Sequence, residues 1–185
     1  MNTSEATFDF HENNPSFWYQ KSVSLYASAT LVWDARQATN DQEFVSGLGL
    51  KEDFSVESGC EHQYLMLFGL SYEIMFKAIC ITQGIEFQKK NHDLLNVAKL
   101  ALVVLSEKEK TQLRLLSEFV TWEGRYPVPK KHEKMTQHWN ATRKKLWQTE
   151  DIFGFEVTSR TDIFEHKTLK ALWLKLQSEY WEKRT

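Results

Sequence analysis

Little in this chain breaks, staples or anchors it. Seven glycines and three prolines in 185 residues leave long stretches without a helix breaker, which excludes collagen-like, low-complexity and loop-rich scaffolds. The two cysteines, Cys60 and Cys80, show no CxxC or comparable Cys/His spacing, so neither a disulfide framework nor a zinc centre organises the fold, and both read as reduced core thiols. No metal and no cofactor is expected. The first residues are polar and acidic, without the basic start and apolar run of a signal peptide, and no stretch approaches about 18 consecutive apolar residues. These absences predict a cytoplasmic protein that does not span a membrane.

Apolar residues make up 42% of the chain and aromatic residues 14%, including seven tryptophans, enough for one substantial core. One domain over residues 1–185 is expected, with a core bundle at 15–150 and an extension at 151–185 that adds a packing helix. Charge is sorted along the chain. Residues 1–61 carry ten acidic and three basic side chains, whereas 62–185 carry fifteen acidic and twenty basic. Between 125 and 145, Arg125, Lys130, Lys131, Lys134, Arg143, Lys144 and Lys145 face only Glu133. Such a patch suits a polyanion, or else is a solvated basic face that pairs with the acidic N-terminal segment of its own chain or of a partner subunit.

Helical periodicity runs through most of the chain, and no segment shows strand alternation, so the fold class is all-α: an antiparallel bundle of about five to six helices. Asn14-Pro15 caps a first helix to about Ala38, with Trp18, Ser22, Leu25, Ala29, Val32 and Trp33 inward. Residues 39–60, with Asn40, Gly47, Gly49 and Gly59, read as a loop. A central helix at about 58–83 is apolar on two faces, carries Glu73 and Lys77 at ion-pair spacing, and stops at Gly84. Asn91 caps a short helix to about 102, and Ser106 with Glu109 forms a capping box for the next, which Gly124 ends. A fifth helix at about 133–147 presents Met135, Trp139 and Leu146. After an irregular Phe153-Gly154-Phe155 stretch, the last runs over about 161–183. Trp139, Trp147 and Trp173 read as core or dimer contacts.

The order of three motifs resembles the HEPN domains, small helical bundles associated with nucleotide binding. These are Tyr-Glu-Ile-Met-Phe-Lys-Ala at 72–78, His92-Asp93-Leu94, and Trp-Glu-Gly-Arg-Tyr-Pro at 122–127, and the likeness covers roughly residues 15–150. The resemblance implies a helical homodimer with a cleft at its interface. It also implies RNA or nucleotide binding, in toxin, defence or RNA-processing settings, often with metal-independent RNA cleavage by an arginine followed after four to six residues by a histidine.

Carried onto this sequence, the pair is Arg125 and His132, six residues apart, with Tyr126 after the arginine and Pro127 and Pro129 extending the connection. In that role His132 would take the 2'-OH proton while Arg125 stabilises charge on the phosphate. Lys130, Lys131, Lys134 and Arg143 would bind RNA, with Glu73, His92, Asp93 and Tyr126 in support. A nucleotidyltransferase-type antitoxin is an implied partner; the position two residues after the histidine, where some such partners modify a tyrosine, is Lys134. The alternative is a catalytically inactive dimerisation and interaction module. There Arg125 is structural, paired with Glu73 or Glu123, and His92-Asp93 satisfies a helix start.

Overall fold

The computed structural model describes residues 3–37, 41–50, 54–153 and 155–184. The fold is mostly helical, built around one helix. This central helix, α5 (Glu61–Thr82), follows α1 (Thr3–Asn13), α2 (Pro15–Arg36), α3 (Asp41–Gly47) and α4 (Val56–Gly59). It is followed by α6 (Leu94–Leu100), α7 (Glu107–Glu118), α8 (His132–Leu146) and α9 (His166–Glu182). Thirteen of the α5 residues are buried, and α2, α6, α7 and α9 pack around it. By length and composition this helix could cross a membrane, yet the fold itself covers most of it. Cys80, in its last turns, has its thiol pushed up to about 11 by burial, which makes it unreactive, and Cys60 is also unpaired.

The helix ends follow local chemistry. Asn14 accepts a hydrogen bond from the Ser16 amide at 3.0 Å, ahead of Pro15 in the first turn of α2. At the other end of α5, Gly84 takes φ +65°. That conformation lets the Ile85 amide reach the Cys80 carbonyl at 2.9 Å and the Gly84 amide reach Ile81 at 3.1 Å, a Schellman closure. Ser106 and Glu109 form the expected box at α7. The cap of α6 is Asp93, whose carboxylate accepts from the Asn96 amide, and Asn91 instead accepts from the Asp93 amide.

Several expectations are corrected. The chain is not all-α: β1 (Trp147–Ile152) and β2 (Phe155–Arg160) form an antiparallel hairpin in register from Trp147 opposite Arg160 to Ile152 opposite Phe155. Its polar residues, such as Gln148, Glu150, Glu156 and Ser159, fall on both faces, so no period-2 apolar pattern marks it. The stretch 39–60 holds α3 and α4 rather than only loop, and Ala38, Asn40 and Gly154 lie outside the described residues. The last helix begins at His166, after a short 3-10 turn at Asp162–Phe164. It buries Leu169, Leu172, Trp173, Leu176 and Tyr180 against the rest of the core. Tyr26 stacks on Trp173 at 4.1 Å, and the Tyr72 hydroxyl donates to the Leu169 carbonyl at 2.6 Å.

Between α7 and the turn at 124, residues Phe119–Glu123 widen into a π-helical turn, in which the Gly124 amide bonds the Phe119 carbonyl. Two close approaches hold this turn against α5. A Cβ on Gly69 would lie 2.5 Å from Val120, and one on Gly124 would lie 2.4 Å from Met66. Only glycine lets the segments meet there, and the turn then aims Trp122, Glu123 and Arg125 towards α8.

Candidate functional site

Two grooves flank the π turn, and the sequence-predicted residues divide between them. The first, of about 370 Å³, lies between the start of α5, residues 122–127 and α8, and is lined by His62, Glu123, Arg125, Tyr126 and Trp139 among others. The second, of about 680 Å³, is lined by Gln88 and residues 90–93, by Arg114, Ser117 and Glu118 of α7, by Thr121 of the π turn, and by Lys134. Arg125 therefore stands in one groove, while His92, Asp93 and Lys134 stand in the other. His132 opens α8 as an exposed residue and lines neither.

The structural role expected for Arg125 as the partner of Glu73 or Glu123 is overturned. Glu73 is buried and already held twice: Lys77 Nζ donates to Oε1 at 2.6 Å, and His92 Nδ1 lies 2.9 Å from Oε2. The same lysine donates to the Lys89 carbonyl at 2.9 Å. Glu123 is taken by His138, whose ring is buried between Phe119 and Trp122. Arg125 is exposed and, among the described residues, has no ion-pair partner.

The same holds for the whole basic run. Lys130, Lys131, Lys134, Arg143, Lys144 and Lys145 are exposed, and among the described residues none is paired with a carboxylate. Several cations elsewhere are engaged: Lys89 pairs with Glu12, Arg36 and Arg160 with Glu61, Lys108 with Asp162, Lys175 with Glu109. Within the chain, Glu12 and Glu61 of the acidic N-terminal segment pair with Lys89, Arg36 and Arg160 rather than with the basic run.

Aromatic rings in the same stretch of chain are exposed as well. Tyr126 is 60% exposed, Trp139 55% and Trp147 50%. Trp139 and Trp147 are therefore not core residues. The inward stripe of α8 is Met135, His138 and Thr142, one position round from the stripe that placed Trp139 inside. Sequence reasoning missed the Glu123–His138 pair for the same reason. The signal was a histidine three after Met135 and four before Thr142, on the face that packs inward. Trp173 is buried as expected.

Among the described residues no cluster of three or more His, Cys, Asp or Glu side chains could hold a metal ion. Compared with family models, curated proteins and solved structures, the chain matches none.

Proposed function

We propose that this chain is an RNA-binding protein of HEPN-like fold, which holds a single strand along α8 and the turn before it. The observation that supports this reading best is that, within the one stretch from Arg125 to Trp147, seven exposed cations have no ion-pair partner among the described residues and the rings of Tyr126, Trp139 and Trp147 are exposed beside them in sequence. Unpaired surface cations release counterions when they meet phosphates, and exposed rings contribute about 1–3 kcal/mol per stacked base. Rings stack only on bases that are not already paired, which favours a single strand over a duplex. Cleavage is the narrower form of this reading. Within one chain Arg125 lines a groove that His132 does not, so the nuclease form calls for a homodimer in which a second copy brings its histidine to that groove.

The test is fluorescence anisotropy with a single-stranded oligoribonucleotide of about 12 nucleotides across a salt series. The variant Arg143→Glu/Lys144→Glu/Lys145→Glu should weaken binding at least tenfold and flatten the salt slope by about 3, one for each lost phosphate contact. Trp139→Ala should weaken it without changing the slope. Binding that ignores all of these sinks the RNA reading and favours the inactive interaction module. Incubation of the same RNA in EDTA, beside Arg125→Ala/His132→Ala, tests cleavage separately: products with 2',3'-cyclic phosphate ends from the wild type alone support it.

A further inference from the structure

The groove that holds His92 is not used by the reading above, and it is the better built of the two. We infer that it is a phosphate-binding site in which His92 meets the phosphate through Nε2. The phosphate belongs to the RNA strand that runs along α8.

An ion pair buried inside a core helix is expensive, since desolvating two charges costs several kcal/mol and an apolar pair fills the space as well. Here Glu73 and Lys77 both have side chains 3% exposed or less. What the pair provides is a fixed carboxylate whose second oxygen holds an imidazole. A carboxylate only accepts, so His92 Nδ1 carries the hydrogen, and Nε2 is left without a partner among the described residues. The ring is 38% exposed and lines the groove. A histidine held through one nitrogen by a buried carboxylate has its other nitrogen fixed for a ligand, as an acceptor when neutral and a donor when protonated.

The charges around it select an anion. Lys90, Arg114 and Lys134 line the groove, and among the described residues none has an ion-pair partner. The two carboxylates that also line it keep their charge but accept from protein donors, Asp93 from the Asn96 amide and Glu118 from the Trp122 indole at 2.8 Å, so three cations stand there against two anions. A groove of about 680 Å³ has room for a phosphate with its sugar and base. The guanidinium fork of Arg114 suits phosphate oxygens, and Lys134 belongs both to this groove and to the basic run, so one strand can follow both. This last step rests on the RNA reading; the groove itself does not.

The test follows the His92 ring nitrogens by long-range proton–nitrogen NMR, assigned with His92→Gln, at fixed pH. The probes are inorganic phosphate, a nucleoside 5'-monophosphate and the single-stranded oligoribonucleotide. All three should shift the Nε2 resonance, and Lys90→Ala/Arg114→Ala, at exposed positions outside α8, should weaken the nucleotide's effect at least tenfold with an unchanged melting temperature. A ring unmoved by all three probes overturns the site, and so does a shift undiminished in the variant. RNA bound with the α8 salt slope, but with His92 unmoved, overturns this site and leaves the RNA reading standing. A shift with phosphate and nucleotide, but no binding of RNA, supports the site and overturns RNA as its source.

Discussion

Among the described residues two carboxylates turned into the fold, Glu73 and Glu123, each hold a histidine, and the two pairs have opposite surroundings. Glu123 holds His138 with both partners inside, the histidine side chain only 2% exposed and walled by Phe119 and Trp122. Glu73 holds His92 from inside, with Lys77 on its other oxygen, while the imidazole emerges into a groove rimmed by unpaired cations. The first arrangement ties α8 to the π turn. The second leaves a nitrogen available to a ligand. A carboxylate–histidine contact is therefore no sign of chemistry by itself; the exposure of the histidine and the charges beyond it decide.

That contrast can be broken by substitution, and the largest effect is expected at Lys77. Lys77→Met leaves Glu73 as a buried charge with only His92 beside it and should cost about 3–5 kcal/mol in urea unfolding. His138→Leu strands the Glu123 carboxylate at the base of α8 and should cost about 2–3 kcal/mol. His92→Ala should cost about 1 kcal/mol, because Lys77 still satisfies Glu73 and the ring was partly in water. If His92→Ala proves as damaging as His138→Leu, the two pairs are structural alike and the distinction falls.

The sequence marked the two ends of the second pair, though not their contact, and did not join the first. Glu73 and Lys77 stand four apart on one helix, and His92-Asp93 precedes a helix start, so both ends of the cluster were visible as local patterns. The helix ends at Asn14, Gly84 and Ser106 were visible for the same reason: caps act over three or four residues. Glu123 and His138 come from different elements, and they meet at a π turn whose close approach to α5, at Gly69 and Gly124, involves residues distant in sequence. Helical periodicity also failed to fix the face of α8, because Trp139 is its most apolar residue and yet stands outside. An exposed tryptophan among lysines violates the usual burial pattern, and such violations are where binding surfaces are expected. The hairpin escaped notice because both its faces carry polar residues, so no alternation marks it.

A third histidine sharpens the comparison with the smallest effect. Among the described residues no carboxylate pairs with His166; its Nδ1 lies 3.1 Å from the Tyr64 hydroxyl, and its ring stacks on Trp33 at 5.0 Å. Burial, assisted by the Lys170 charge, pushes its pKa below the usual 6.5. The sign follows from linkage: where the folded pKa is the lower one, the unfolded chain binds the proton first. Stability then declines as pH falls through about 6.5 and levels off only below the folded value. His166→Gln keeps a partner for Tyr64 and removes the titration, so its urea midpoint should vary less with pH between about 7 and 5 than that of the wild type. An unchanged slope would place the acid-side loss on other groups, and would remove the case for treating an uncompensated histidine differently from the two that a carboxylate holds.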